Sequence, residues 1–261
     1  MTFTNDAFRL DGKVAIVTGA GARGNSIGRA YALGLAQAGA GVVVADLNEQ
    51  GARSIATEIV DSGGQAIGVK VDITDPNAVS AMVGAARDTF GGVDILVNNA
   101  ALMAELSYGP LMTTSTEDWQ RTFDVNLRGA MNCAQAVVPS MRERGGGKIV
   151  NQASAGAFPA QTLYGITKLA LVGLTTTLAR ELGPDKINVN AIAPGCVATE
   201  AGQGLLPPGS PTLQYLDMQV AMRVNGQPHE LVGALLLLAS SAGDWITGQV
   251  INVDGGWVLR P

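Results

Sequence analysis

The amino-acid sequence predicts an α/β protein, with strands and helices alternating to build one doubly wound parallel sheet that carries helices on both faces. Short continuous apolar runs such as Val14-Ala15-Ile16-Val17 and Val42-Val43-Val44-Ala45 lack the alternation of a half-exposed strand, and they suit parallel strands buried on both sides. Helical stretches separate these runs along the whole chain. No composition break, low-complexity segment or fixed-period repeat divides the 261 residues, so a single domain over 1–261 is expected.

In chain order, residues 1–12 form a loose leader that ends in the Asp11-Gly12 turn. The first strand delivers the chain to a glycine-dense loop, Thr18 to Asn25; Ser26 is a suitable N-cap for a helix through Ala38, and Gly39 stops it. The second strand ends at Asp46. Helix 48–62, strand 66–71, helix 76–89 and strand 93–97 follow, the last ending at Asn98-Asn99-Ala100. A long helical stretch from Glu117 to Arg144 is interrupted near Asn126 and stopped by Gly145-Gly146-Gly147. Strand 148–152 leads to Ser154. A helix from about Thr162 to Leu182 breaks at Gly183-Pro184, and strand 187–193 ends in Pro194-Gly195. The stretch 198–226, rich in proline and glycine, is expected to be irregular. Helix 228–240 and strand 249–253 complete the pattern.

Composition narrows the function classes. The chain is 47% hydrophobic and 15% charged with a formal net charge of −5, which argues against nucleic acid or an anionic membrane as main partner. Two cysteines, Cys133 and Cys196, build no disulfide framework and no C-x-x-C pair. One histidine, His229, argues against a Ser-His-Asp triad and a histidine-rich metal site; no metal is expected. Met1 to Leu10 lacks the apolar length of a signal peptide, and the run Leu231 to Ala239 is too short to span a bilayer. A soluble, reduced, cytoplasmic protein is the expectation.

The chemistry gathers at the carboxyl ends of the strands, where open α/β sheets bind ligands. Tyr164 and Lys168 lie one turn apart on one helix face, about 6 Å along the axis. Tyrosine is a poor base near neutrality, its ordinary pKa being about 10, and a nearby ammonium favours the phenolate. Ser154 comes ten positions before Tyr164, directly after a strand. The glycine loop 19–28, set inside a βαβ unit, brings backbone and a helix N-terminus to a pyrophosphate, and no Gly-Lys-Ser/Thr follows to make a P-loop. Asp46 is placed to accept from an adenosine ribose and to repel a 2′-phosphate, so NAD is expected over NADP. Arg23 in the glycine loop acts in the opposite sense. Asp46 also suits the cap of the next helix, and Asp72 suits either a cap or an adenine contact.

Together these residues resemble a short-chain dehydrogenase/reductase over about residues 10–257. The matching positions are Thr18-Gly19 with Ile27-Gly28, Asp46, Asp72-Ile73, Asn98-Asn99-Ala100, Asn126, Ser154, Tyr164-x-x-x-Lys168, and Pro194-Gly195 with Thr199. The resemblance implies a Rossmann-type dinucleotide-binding oxidoreductase domain. It also implies a catalytic tetrad in which Tyr164 is the acid/base and Ser154 orients the substrate oxygen. Lys168 would bind the nicotinamide ribose and lower the tyrosine pKa, while Asn126 would hold a water. The implied cofactor contacts are Gly19, Arg23, Ser26 and Ile27 in the loop, then Asp46, Leu47, Asp72 and Ile73. Asn98, Ala100, Tyr164, Lys168, Pro194, Gly195, Val197 and Thr199 complete them. Three departures stand out: a longer glycine loop with Ser26 at the middle glycine's place, Ala101 for the usual glycine, and ten residues where thirteen commonly separate serine from tyrosine. Thr162 is the alternative to Ser154.

Small residues on two helices, Ala170, Gly173 and Leu174 on one and Ala130, Ala134 and Val137 on the other, permit close helix contact, as a buried core face does; the resemblance implies homotetramers built on them. Leu102, Met103, Phe158, Leu163 and Cys196, with a substrate-loop insertion at about 198–226, are candidates to line the substrate pocket. Within it, Leu205, Leu206, Leu213, Tyr215, Leu216 and Met218 point to a small hydrophobic secondary alcohol or ketone, and the prolines and glycines suit a lid. The alternatives are a 3-oxoacyl-thioester reductase using NADPH and a non-catalytic dinucleotide sensor. His229 is expected at the surface and Cys133 in packing.

Overall fold

The computed structural model describes residues 4–21, 24–103, 110–200, 202 and 209–259. Seven strands form one all-parallel sheet: β1 (Val14–Thr18), β2 (Gly41–Asp46), β3 (Gln65–Lys70), β4 (Ile95–Asn98), β5 (Gly147–Gln152), β6 (Ile187–Pro194) and β7 (Val250–Val253). Their order is β3-β2-β1-β4-β5-β6-β7. The order reverses between β1 and β4, where connections leave in opposite directions and a crevice opens at the carboxyl ends.

The continuous apolar runs are explained by burial on both sides. Ala15 and Val17 of β1, with Val42 and Val44 of β2, face a core closed by Tyr31 and Leu35 of α1 (Ile27–Gln37) and Ile55 and Ile59 of α2 (Glu49–Asp61). Val14 and Ile16, with Val43 and Ala45, face the opposite core. That core is filled by Met82 of α3 (Pro76–Phe90), Val137 and Met141 of α5 (Gly129–Glu143) and Leu178 of α6 (Leu163–Leu182). Shifting any strand by one residue would exchange the two sets.

Helix starts follow the capping chemistry. Ser26 accepts from the Arg29 amide, as expected for an N-cap, and Thr162 accepts from the Gly165 amide at the start of α6. The expected interruption near Asn126 is a π-helical turn, Asp124–Arg128, between α4 (Thr116–Phe123) and α5. Such turns insert one residue into the α-helical ladder and occur often at functional sites.

Three expectations need correction. The stretch 198–226 is not wholly irregular: Ser210 caps a helix, α7 (Pro211–Gln219), whose proline sits in the first turn where no amide partner is lost. Asp46 does not cap α2; Asn48 does, accepting from the Gly51 amide. Ala130, Ala134 and Val137 of α5 are at most 5% exposed and lie inside the core, so that stripe is a packing face rather than a surface for another subunit. The chain ends with a short helix, α8 (Val232–Ala239), and β7. His229 is exposed and Cys133 is fully buried, its thiol pushed up to about 12 by burial. No described helix is long and apolar enough to cross a membrane.

One buried bond ties helix to sheet beneath the crevice: the Tyr31 hydroxyl donates to Gln152 Oε1 at 2.8 Å. Burial holds this phenol protonated, its pKa well above the ordinary value. Tyr31→Phe removes the donor and leaves an amide oxygen buried without it, so a loss of about 1–3 kcal/mol in urea unfolding is expected. An unchanged midpoint would mean that Gln152 finds another donor.

Candidate active site

A cavity of about 1380 Å³ lies at the carboxyl ends of the strands. Its floor is fastened by side chains. Thr18 Oγ1 accepts from the amides of Asn99 and Ala100, each at 3.1 Å, and donates to the Val97 carbonyl. Asn99 Nδ2 donates to the carbonyls of Thr18 and Gly19 at 2.9 and 3.0 Å. The ends of β1 and β4 are thereby joined, and the glycine loop starts from a fixed point. Gly19 has φ +66°, and a Cβ there would stand 2.5 Å from Ala100 Cα, so only glycine fits.

The loop leads to α1, whose opening residues Ser26, Ile27 and Gly28 line the cavity. The first amides of a helix have no intrahelical partner and carry the positive end of its dipole. Asp46 stands beside them at the end of β2. Its Oδ2 accepts from the Gly21 amide at 2.7 Å and its Oδ1 from the Asn48 amide at 2.8 Å. Each oxygen therefore keeps a lone pair for a further donor. Leu47, Asp72, Ile73, Ala100 and Thr199 also line the cavity. Asp72 bonds locally, Oδ1 accepting from the amide and hydroxyl of Thr74. Arg23 lies outside the described residues.

Tyr164 and Lys168 enter the same cavity from the start of α6. Lys168 Nζ lies 5.5 Å from the centroid of the Tyr164 ring and donates to the Gln152 carbonyl at 2.6 Å. The lysine is 1% exposed, and its burial pushes its pKa down to about 7 from the ordinary 10.5.

Ser154 and Asn126 flank the cavity without lining it. Ser154 Oγ accepts from the Gly156 amide at 3.1 Å and caps the turn Ala155–Ala157, which leaves its own proton to donate. The shortened loop folds back on α6 so closely that a Cβ at Gly165 would stand 2.8 Å from the Gly156 carbonyl oxygen. Thr162, the alternative to Ser154, is engaged as the helix cap. Asn126 clamps the segment after β4: Oδ1 accepts from the Leu102 amide at 2.7 Å, while Nδ2 donates to the Leu102 carbonyl and to Thr167 Oγ1, both at 3.1 Å. Both amide hydrogens are committed, and one Oδ1 lone pair remains for a water.

Other positions stand further from the opening. Asn98 is 4% exposed and donates to Asn151 Oδ1 and the Ala130 carbonyl, so it braces β4 to its neighbours; Asn99, beside it, faces the cavity. Pro194 ends β6, and the Gly195 amide donates to the Val253 carbonyl. Val197 makes a parallel bridge to Gly226, reinforced by bonds from the Ala198 amide to the Gly226 carbonyl and from the Gly226 amide to the Cys196 carbonyl. Cys196 is half-buried, its thiol pKa raised by burial and then by Asp217.

Sequence reasoning quoted Asn99 at the strand end without giving it a role at the cleft, and it passed over two groups. Gln152 is a lining residue that the strand-end rule should have singled out, since it ends β5. Glu117, Gln120, Arg121 and Asp124 on the α4 side carry no spacing signal, because tertiary packing alone brings that helix to the rim.

A family model described as enoyl-(acyl carrier protein) reductase matches residues 21–258. An uncharacterized oxidoreductase of Mycobacterium tuberculosis is 46% identical over 251 residues, covering 96% of this chain and 99% of that protein. The 7α-hydroxysteroid dehydrogenase of Escherichia coli is 38% identical, with 98% of each chain covered. A solved 7α-hydroxysteroid dehydrogenase, in complex with NADH and 7-oxo glycochenodeoxycholic acid, superposes with a TM-score of 0.90 at 37% identity over 99% of both chains. With its all-parallel sheet and its strand-end cleft, this chain belongs to the short-chain dehydrogenase/reductase family of NAD(P)-dependent oxidoreductases.

Proposed function

We propose that the chain interconverts a small hydrophobic secondary alcohol and its ketone with NAD as cofactor. The observation carrying this reading is one continuous cleft that joins Gly19, the start of α1 and Asp46 to Tyr164 and Lys168. The donor set suits a dinucleotide: unpaired helix amides for a pyrophosphate and a carboxylate with free lone pairs for ribose hydroxyls. When bound, the nicotinamide supplies hydride transfer. Tyr164 exchanges the proton of the substrate oxygen, and Ser154 donates a hydrogen bond to that oxygen. Lys168 holds charge beside the phenol, and Asn126 fixes Leu102 and α6 in register. The chain acts as one domain, with the segment 198–226 closing over the substrate. Assembly is proposed to use the outer face of α6, where Leu169 is 45% exposed.

Charge supports NAD over NADP. Carboxylates of Asp46, Asp72, Glu117, Asp124 and Glu200 line the cleft, against Arg121 and the buried Lys168. A 2′-phosphate adds about two negative charges to that field. Apolar side chains on the segment after β6 support a hydrophobic substrate: Tyr215, Met218 and Met222 are 60%, 58% and 67% exposed.

A panel of hydrophobic alcohols and ketones run with both cofactors should show preferential turnover with NAD; no turnover with any would remove the reading. Tyr164→Phe is expected to lower kcat by about 10²–10⁴-fold while NADH binding, followed by fluorescence, stays within a few-fold. Retained turnover would assign the proton to another group. Asp46→Asn keeps an acceptor for the Gly21 amide and removes the charge, so the kcat/KM ratio for NAD over NADP should fall at least tenfold.

The lysine gives a pH test. Between pH 10.5 and about 7 the unfolded chain binds a proton that folded Lys168 does not, so unliganded stability falls as pH drops through that window. Below about 7 the penalty is complete, and above 10.5 it is absent. The stability difference between Lys168→Met and wild type, measured by urea unfolding at several pH values, should favour the variant increasingly toward pH 7. A difference independent of pH would show that burial does not depress this amine.

A further inference from the structure

A second cavity, about 700 Å³, opens at the amino ends of β1, β4, β5 and β6, on the sheet edge opposite the cofactor cleft. Five of the chain's 17 Lys and Arg residues line it: Arg9, Lys13, Arg144, Lys148 and Lys186. Asp94 and Asp244 are the carboxylates among them, and Asp11 pairs with Arg9 at the edge, which leaves an excess of two positive charges in a chain whose net charge is −5. The sign of the protein is locally reversed.

These charges are held in place. Asp94 is 5% exposed; it accepts from the Val14 amide at 2.9 Å and pairs with Arg144 at 2.8 Å and Lys13 at 3.4 Å. One carboxylate thereby fixes two cations without neutralising both. Lys148 reaches Asp244 at 2.7 Å and Asn188 at 2.8 Å. Lys186 makes no ion pair among the described residues, and its backbone, at φ 58°, stands at the start of β6. Gly145, Gly146 and Gly147 add no side chains to the wall, which keeps the cavity open.

At the rim, the fully exposed indole of Trp245 offers a flat apolar surface.

We propose that this cavity binds a small oligophosphate, free or esterified. Lys13, Arg144 and Lys186 meet its charge, and Trp245 covers it. The site is separate from the cofactor cleft and does not rest on the function proposed above.

The test titrates inorganic tripolyphosphate into the full-length protein saturated with NAD, at low salt, by calorimetry and tryptophan fluorescence. Submillimolar binding that weakens at least tenfold in Lys13→Gln/Lys186→Gln, with KM for NAD unchanged in that variant, supports the site. A parallel titration with ATP separates the two sources. Equal affinities identify a free oligophosphate; tighter ATP binding that Trp245→Ala removes identifies a phosphate ester. Absence of binding at 1 mM, or an affinity indifferent to both lysines, overturns the proposal.

Discussion

The structure depends on the fastening between the ends of β1 and β4. The hydroxyl of Thr18 takes two successive amides, of Asn99 and Ala100, while the Asn99 side chain returns to the carbonyls of Thr18 and Gly19. At this point the strand order reverses and the sheet can no longer close over its own edge. Backbone polar groups there would be left to water, and side chains satisfy them instead. The glycine loop, the start of α1 and the segment held by Asn126 all take their positions from this join. The adjacent β5 delivers the Gln152 carbonyl that receives the Lys168 ammonium. Removing that ammonium from water depresses its pKa, although the carbonyl and the ring beside it favour the charge.

Most of the sheet was legible because both of its faces are covered. A strand such as Val42 to Ala45 has no polar side to hide, so its run is continuous and easily found. The interruption near Asn126 was legible as a defect in helical pattern, though not as a π-helical turn. Other features were not local. Asn98 and Asn99 are chemically the same in sequence, and only the direction of the strand's pleat decides which braces the sheet and which meets the cleft. Asp46 and Asn48 both make good caps; the approach of Gly21 decides that the carboxylate holds the loop. The small residues of α5 likewise gave no indication whether their face met the core or another subunit.

The two edges of the sheet differ in electrostatic character. The carboxyl edge gathers Asp46, Asp72, Glu117, Asp124 and Glu200 around a nearly isolated pair of cations, whereas the amino edge gathers five cations around two carboxylates. Parallel sheets have no polar direction of this size from their strands alone. The difference comes from charged side chains at strand ends, on the helices and in the loops that border each edge.

The bridge between Val197 and Gly226 has a consequence for how this protein can change. It ties the two ends of the intervening segment together next to the end of β6, so the segment is closed before its contents are specified. Closing a loop already pinned at its base costs little more as it lengthens, about 0.6 kcal/mol per doubling. Insertions, deletions or wholesale exchange between those two residues therefore leave the sheet and the lysine intact. Selection can rewrite that segment as a cassette while the floor of the cleft stays the same.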